Sequence, residues 1–568
     1  MMIQNTIGCI FIFTLSVLLA WPIGAYMNKV YKGEKSLLEF LKPVEGFIFK
    51  FCKIDPLKEM NWKQYLLAML VINAVWFVFG FVVLLFQGSL FLNPAGNPSM
   101  GWSLAFNSAI SFLTSTNLQD YSGETGATYL SQMGVFMFLQ FVSAATSLSM
   151  GVAIVRGLSA RTSTNLGNFY VDFVKSLTRI LMPLCIIATF LFLCSGVPMT
   201  FAGPHHIKTL QGDSITVSTG PVAAFIPIKE LGSNGGGFFG ANNAHPFENP
   251  TFFSFIIHSL IVFLLPMAFV FFIGYYLKER HFSKIIFAIM TLGFLLTAIP
   301  VIYNEVHGNP LIKQMGINNN GNMEGKETRY GAFYSGFYAG ENSVIPAGTV
   351  VGMHDSFMSL SGLSMLLGMN FDGFYGGLGT GWINMFIFLI ISLFIGSLMI
   401  GRTPEIFGKK IGVKEMQITV GVAVMQSMVP LLLTGVATYV YLHYPGGNNS
   451  LQWLSNKGPH GFTTMLYQYI SCAAGNGSGF ESLGDNTIFW NLSTTIPMLT
   501  GRFIPIIGGV WIAGILAEKQ AIPPSAGTLK VDSLSFGAFL FVVIIILNIL
   551  SLFPTFMLGP VLDHFLIK

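Results

Sequence analysis

The chain has 568 residues, of which 52% are hydrophobic, 14% aromatic and only 10% charged. A soluble domain carries about 25% charged residues, so this composition excludes a soluble globular enzyme and is typical of a membrane protein. A formal net charge of +4, from 29 basic and 25 acidic residues, leaves no basic field for nucleic acid. The five cysteines are an odd number without CxxC spacing, which excludes a disulfide scaffold.

About ten apolar runs are long enough to cross a bilayer, since a crossing needs roughly 20 apolar residues. They lie near residues 5–27, 65–88, 128–155, 179–200, 251–277, 285–303, 380–401, 416–443, 488–517 and 535–557. No basic residue precedes the first run and no cleavage site follows it before Lys29, so we interpret it as a retained helix rather than a signal peptide. The sequence therefore predicts an all-α membrane protein of about ten transmembrane helices.

Lysine and arginine are concentrated in alternate loops. Most of the 29 basic residues lie in the loops that follow the odd-numbered runs. Because cytoplasmic loops are enriched in lysine and arginine, this distribution predicts that those loops are cytoplasmic and that both termini face outward.

Each of the four long outward connections contains an apolar stretch that is too short to cross. These stretches are 105–113, 221–228, 330–345 and 462–473, and a turn of glycine, small or polar residues follows each one. The repeated order of span, half-helix, loop and span predicts four membrane–pore–membrane repeats around a pseudo-fourfold axis. The repeats cover 65–155, 179–277, 285–401 and 416–517, flanked by a first helix with a basic loop at 1–64 and a last helix at 535–568.

Irregular backbone at membrane depth is tolerated where it is buried in protein or lines a watery path. Four loops on one axis would present rings of carbonyl and hydroxyl oxygens, which is how a cation filter replaces the hydration shell of its ion. Glycine-rich turns can also merely connect spans or allow helices to pack closely. Their recurrence in four matching positions favours the filter.

Nine short stretches are shared, in order, with a known family. They are EMNWKQY at 59–65, YSGE at 121–124, SNGGGFF at 233–239, AHPFENPT at 244–251, NMEGKE at 322–327, MHDSF at 353–357, GRTPE at 401–405, GPHGF at 458–462 and GRF at 501–503. On these residues the chain resembles the potassium-binding A subunits (KdpA) of the Kdp potassium-transporting P-type ATPases. That family belongs to the superfamily of potassium transporters built from membrane–pore–membrane units.

The resemblance implies a non-hydrolytic subunit of an ATP-driven, high-affinity potassium uptake complex in the bacterial inner membrane. K⁺ would be the transported ion, passed from the filter to a P-type ATPase catalytic subunit (KdpB-like), with small KdpC- and KdpF-like subunits and membrane lipids as further partners. The sequence holds neither an Asp-Lys-Thr-Gly phosphorylation motif nor a Walker A loop, so we expect no ATP site in this chain.

The resemblance also implies the filter residues and their neighbours. Gln119 falls where the family tunes ion affinity, and the third and fourth loops depart from the family pattern, which leaves open which side-chain oxygens add to the site. The implied filter residues are Ser115, Thr116, Asn117, Ser233, Asn234, Gly235, Ala347, Gly348, Gly475, Asn476 and Gly477.

Arg502 lies within an apolar run, and an intramembrane charge is a functional candidate by default. It follows the fourth loop, so it is expected either to form a barrier beneath the filter or to pair with a carboxylate. The alternative is a packed or snorkelling arginine.

Two other functions stay open at this point. The first is a stand-alone potassium channel or symporter of the same superfamily, against which the two flanking helices weigh. The second is an intramembrane metalloenzyme that uses His245, His354 and Asp355. A transition-metal centre needs three or four ligands with a supporting shell, so capping and bracing beside the filters is the role expected for these residues and for Glu248.

Overall fold

A computed structural model describes residues 2–317, 321–444, 452–523 and 529–566 of the chain. The predictions made for Met1, for 567–568 at the C-terminus and for 318–320 and 445–451 of the outward connections lie outside the described residues.

The described residues form a helical protein with two small hairpins. Its α-helices are α1 (Met2–Lys32), α2 (Lys42–Phe51), α3 (Trp62–Phe86), α4 (Trp102–Leu113), α5 (Gly123–Gly126), α6 (Tyr129–Ser131), α7 (Phe138–Ser159), α8 (Phe169–Lys175), α9 (Met182–Cys194), α10 (Val222–Leu231), α11 (Phe252–Leu277), α12 (Arg280–His307), α13 (Pro310–Gln314), α14 (Gly331–Val344), α15 (Ser359–Phe371), α16 (Thr380–Met399), α17 (Val413–His443), α18 (Gly458–Ala474), α19 (Ile488–Ser493), α20 (Thr495–Glu518), α21 (Leu534–Phe556) and α22 (Leu562–Leu566).

Shorter elements connect these helices. The 3₁₀ turns are Glu39–Leu41, Gln87–Ser89, Asn242–Ala244 and His354–Ser356, and the π-helical turns are Gln132–Met137, Ser176–Leu181 and Met557–Val561. The antiparallel hairpins pair β1 (His205–Lys208) with β2 (Ser214–Val217) and β3 (Glu405–Ile406) with β4 (Lys409–Lys410).

By length and composition, ten helical segments of the described chain can cross a membrane, and they confirm the ten predicted runs. They are Met2–Lys32, Trp62–Ser89, Tyr129–Ser159, Phe169–Cys194, Phe252–Leu277, Arg280–Gln314, Thr380–Met399, Val413–His443, Ile488–Glu518 and Leu534–Leu566.

The four predicted half-helices are also present. They are α4, α10, α14 and α18, and we call them pore helices one to four. Each lies between two crossing helices in the chain and is too short to span the roughly 30 Å hydrocarbon core, since a helix rises 1.5 Å per residue.

Within each repeat the second crossing helix is the more buried one. The buried share of the apolar window is 22% and 89% for the two helices of repeat one, 39% and 89% for repeat two, 50% and 72% for repeat three, and 28% and 56% for repeat four. A helix that is apolar all round yet largely exposed faces lipid in a membrane protein. The second helices therefore surround the centre of the molecule, and the first helices face the bilayer.

The flanking helix α1 packs along α11, the second helix of repeat two. Gly24 makes this approach possible, because a Cβ there would lie 2.6 Å from the carbonyl oxygen of Ala268 and 2.8 Å from Cβ of Phe271. Small residues let membrane helices come this close.

The third repeat contains a helix that the apolar runs do not predict. The buried helix α15 precedes the second crossing, and residues 372–379 form a break between α15 and α16. Asp372, Tyr375, Gly376 and Gly379 all have positive φ values at the break, which no regular helix tolerates. The serines and glycines of α15 hid this helix from the hydropathy pattern.

Candidate functional site

All four pore helices end in the same backbone hydrogen bond. Just past each helix end, an N–H donates to the carbonyl oxygen five residues earlier: Thr116 to Ser111 at 3.0 Å, Asn234 to Lys229 at 2.9 Å, Ala347 to Asn342 at 3.4 Å, and Asn476 to Ser471 at 2.9 Å. Six-to-one bonds of this kind close helix C-termini. The segments 114–117, 232–235, 345–348 and 474–477, which we call filter loops one to four, therefore share one backbone register.

Left-handed residues fall at matching positions of these loops. The φ values are 61° at Ser115, 58° at Asn117, 51° at Ser233, 65° at Gly348, 67° at Gly475 and 90° at Gly477. Pro346 occupies the position that matches Ser115, and a proline ring fixes φ near −65°, so loop three has its left-handed residue at Gly348 alone. A left-handed serine or asparagine costs about 1–2 kcal/mol, which the surrounding contacts must offset.

The four loops form a closed ring. A Cβ on Gly235 of loop two would lie 2.7 Å from the carbonyl oxygen of Asn476 in loop four and 2.8 Å from that of Ala347 in loop three. A Cβ on Gly348 would overlap the carbonyl oxygen of Asn476, and one on Gly477 would overlap that of Thr116. Carbonyl oxygens from three loops thus point at the backbone of their neighbours, in a space that admits no side chain.

The asparagine side chains of the predicted filter are engaged with protein. Asn117 Nδ2 donates to Asn234 Oδ1 at 2.9 Å, which joins loop one to loop two. Asn476 Nδ2 donates to the carbonyl oxygen of Asn342 at 2.7 Å, which ties loop four to pore helix three. These amide groups brace the ring, whereas the buried Asn117 Oδ1 and Ser233 Oγ of loops one and two meet no hydrogen-bond donor among the described residues.

Gln119 clamps the second loop from the first. Its Oε1 accepts from the Gly237 N–H at 2.8 Å and its Nε2 donates to the Gly237 carbonyl oxygen at 3.0 Å. Because both bonds reach the backbone just past loop two, the side chain sets the distance between two filter loops.

A buried charged network, which sequence reasoning missed, lies behind loop two. Lys229 is completely buried, and its Nζ donates to Glu248 Oε2 at 2.7 Å, Asn242 Oδ1 at 2.7 Å and Asn243 Oδ1 at 2.6 Å. Asn242 in turn donates from Nδ2 to the Gly235 carbonyl oxygen at 2.6 Å. We call these residues the loop-two brace. A lysine inside an apolar half-helix was the available signal, since buried charges must be paired.

A small cavity lies on the side of the ring where the pore helices end. Ser115, Ser233 and Gly475 line it together with Asp372 and Arg502, and its volume of about 20 Å³ suits one water-sized particle.

Arg502 is buried in the wall of this cavity. Its Nη2 donates to the Ser143 carbonyl oxygen at 3.0 Å and to Ser115 Oγ at 3.4 Å, and it also contacts Ser147 Oγ. The carboxylate of Asp372 lies within electrostatic reach of the guanidinium, and Asn384 Nδ2 donates to Asp372 Oδ2 at 2.6 Å. Asp372 was not predicted, because the break that places it here left no clear pattern.

The three residues weighed as metal ligands lie in separate surroundings. His245 stacks on Phe239 with ring centroids 3.8 Å apart, and His354 Nδ1 lies 3.1 Å from Tyr467 Oη. Asp355 contacts His460, with Oδ1 2.9 Å from Nε2. Across the described part of the chain no group of three or more histidine, cysteine, aspartate or glutamate side chains is arranged to hold a metal ion.

In the described part of the chain, ten crossing helices, four pore helices and a ring of four matching loops define a multi-pass membrane protein of the four-repeat, pore-loop class. The same fold occurs in a crystal structure of the potassium transporter TrkH from Vibrio parahaemolyticus, with a TM-score of 0.50 and 16% identity over 89% of this chain and 97% of that one.

The sequence matches the family of potassium-transporting ATPase A subunits over residues 10–565. It is 52% identical to the potassium-transporting ATPase potassium-binding subunit of Flavobacterium johnsoniae, over 99% of both chains. It is 46% identical to the subunit of the same name from Bacteroides thetaiotaomicron, over 98% of this chain and 99% of that one. The chain belongs to this family.

Proposed function

We propose that this chain is the potassium-binding and potassium-selecting subunit of an ATP-driven uptake complex, and that the ring of filter loops is its ion site. K⁺ enters from the outer side, exchanges its hydration shell for backbone carbonyl oxygens and leaves toward the cavity beside Arg502. The observation that carries this proposal is the closed ring itself, in which four loops share one backbone register and carbonyl oxygens from three of them point into a space without side chains.

The energy for uptake comes from another subunit. Relatives bear the name of a potassium-transporting ATPase subunit, so the chain works beside a P-type ATPase catalytic subunit of the KdpB type, with KdpC- and KdpF-like small subunits. It lies in the bacterial inner membrane with both termini outward, as the distribution of basic residues favours.

Arg502 and Asp372 form the gate of this path. A fixed guanidinium directly beneath the ring repels a cation that leaves the filter, and the nearby carboxylate of Asp372 offsets that repulsion. We infer that this pair slows free leakage of K⁺ and makes its onward movement depend on the partner subunit.

The test is K⁺-stimulated ATP hydrolysis by the affinity-purified complex, with wild type compared with Gly235→Ala. A methyl group at Gly235 would press on the carbonyl oxygens of Asn476 and Ala347. We expect the K⁺ concentration for half-maximal hydrolysis to rise at least about tenfold, the effect of losing one strong ligand interaction.

Gly134→Ala is the matched control, because a Cβ there meets only Leu130 Cδ1 at 3.6 Å, an ordinary contact. It should leave the K⁺ dependence unchanged. If the chain purifies without an ATPase and conducts K⁺ by itself, the proposal fails in favour of a stand-alone transporter. If Gly235→Ala matches wild type, the ring is not the ion site.

A further inference from the structure

Two carboxyl groups meet behind the joint between filter loops one and four. Asp120 lies three residues past Asn117, Asp485 lies eight residues past Gly477, and the two carboxyl groups lie close enough to share a hydrogen bond when one of them is protonated. Asp120 is 5% exposed, and neither of its oxygens meets an N–H or O–H donor elsewhere in the described chain. Asp485 accepts a bond from Gln468 Nε2 at 3.1 Å.

The segment that carries Asp120 packs on pore helix four independently of this contact. Leu118 belongs to a buried apolar cluster with Cys472 and Met498, and Ser111 Oγ donates to the Leu118 carbonyl oxygen at 3.0 Å. The carboxyl pair therefore adds a polar contact to an interface whose packing is already fixed.

Two carboxylates in hydrogen-bond contact cannot both be ionised without strong repulsion. The other titratable groups that face them are the Cys472 thiol on pore helix four and the Tyr121 phenol next in the chain, and neither is a cation. Burial, together with the charge of Asp485, holds the pKa of Asp120 well above its usual range. Burial raises the pKa of Asp485 to about 6. The pair titrates as a unit.

The position of the pair couples it to the filter on two sides. Asp120 follows Gln119, whose amide clamps Gly237 beside loop two. Gln468, which donates to Asp485, lies on pore helix four, and that helix leads into loop four. In loop four, Gly477 lies against the carbonyl oxygen of Thr116 in loop one. A repulsion that separated the carboxyls would move the exit of loop one relative to both neighbouring loops.

We propose that Asp120 and Asp485 share one proton and act as positioning residues that latch filter loop one to loop four, so that alkaline medium on the outer side releases the latch and weakens K⁺ binding. This inference rests on the function proposed above. Asp120 and Asp485 follow filter loops one and four in the chain and do not line the cavity beside Arg502, so we place the latch on the side where the ion enters.

The test is the KM for K⁺ uptake by cells that carry the whole complex, measured as the outer pH is raised from about 6 to about 9 with the internal pH clamped. For wild type we expect KM to rise about tenfold, the effect of losing a hydrogen bond to a charged group. The double variant Asp120→Asn/Asp485→Asn keeps an isosteric hydrogen bond that needs no shared proton, so its KM should stay low and flat.

Asp120→Ala breaks the contact at every pH and should show a high, flat KM. Thermal unfolding of the purified complex shows whether each variant folds. If Asp120→Ala does not fold, the comparison of wild type with the isosteric double variant still decides the test. The proposal is overturned if KM responds to pH in the same way in wild type and in the double variant. It is also overturned if KM for wild type changes with added Na⁺ or Ca²⁺ instead of with pH, because a bound cation would then join the two carboxyls. The absence of K⁺-dependent uptake in every sample at every pH would refute the function itself.

Discussion

The filter loops are supported from behind in two chemically different ways. The loop-two brace sets a completely buried cation, Lys229, against Glu248 and two amide oxygens. The joint between loops one and four sets two carboxyl groups against each other without a cation among the described residues around them. A paired buried charge holds its geometry over a wide pH range, whereas facing carboxyls hold theirs only while they keep a proton.

The comparison predicts that the position of loop two is insensitive to pH, whereas the contact between loops one and four changes with pH. Opposite charges in the loop-two brace fix the Gly235 carbonyl oxygen through Asn242. The carboxyl pair instead leaves the exit of loop one responsive to the medium.

The largest effect is expected when the buried cation is removed. Lys229→Met leaves Glu248 as an unpaired buried charge, which destabilises a protein by about 3–5 kcal/mol. The variant should unfold at a markedly lower temperature than wild type and yield little assembled complex. Thermal unfolding of the purified complex measures this loss.

Lys313→Met is the control for that change, since Lys313 is exposed on α13. It should match wild type. If Lys229→Met unfolded at a temperature close to that of the control, the loop-two brace would not contribute to the stability of the protein.

A smaller effect is expected at the clamp between loops one and two. Gln119→Glu keeps the acceptor for the Gly237 N–H but loses the donor to the Gly237 carbonyl oxygen. We expect the K⁺ concentration for half-maximal ATP hydrolysis to rise about tenfold, because the carbonyl is left facing a carboxylate. Gln314→Glu, at an exposed position of α13, serves as the matched control. An unchanged K⁺ dependence in Gln119→Glu would mean that the clamp does not set the ring geometry.

The smallest effect is expected at a third contact behind the filter loops, in which one histidine lies between two carboxylates. His460 on pore helix four lies between Asp355, with Nε2 2.9 Å from Oδ1, and Asp563 near the C-terminus, with Nδ1 3.2 Å from Oδ2. Burial lowers the pKa of His460, but the hydrogen bonds to Asp355 and Asp563 outweigh it and raise the pKa to about 9.

A pKa raised above the unfolded value gives stability that is complete below the unfolded pKa, about 6.5, and is lost as the pH rises through about 9. His460→Gln should therefore unfold about 1–2 °C below wild type near neutral pH, and the difference should vanish above about pH 9. A difference that persists unchanged in alkaline medium would show that packing, not charge, supports this site.

Much of this architecture could be predicted from the sequence. The ten crossings and the four pore helices follow from apolar runs interrupted by glycine-rich turns, because hydropathy and backbone freedom are local properties. The individual filter residues came from the resemblance to the family and stay a prediction. Arg502 was singled out as a charge inside an apolar run, and it contacts Ser115 of loop one. Gln119 was implied by the resemblance, and it contacts Gly237 just past loop two.

What the sequence did not reveal depends on contacts between distant segments. Lys229 and Glu248 are 19 residues apart, and Asp120 and Asp485 belong to different repeats, so no local pattern marks either pair. The break before α16 was hidden because its glycines and aromatics continue the apolar composition around them. Asp372 was missed for that reason.

The central claim is that K⁺ binds within the ring of backbone carbonyls. The most direct measurement is the anomalous difference density of Tl⁺, a heavy K⁺ substitute, in crystals of the assembled complex and of its Gly235→Ala variant. The account predicts a peak among the carbonyl oxygens of Thr116, Ala347 and Asn476 in wild type, and its loss or marked weakening in the variant. A strong peak elsewhere with an empty ring, or an equal peak in the variant, would contradict it.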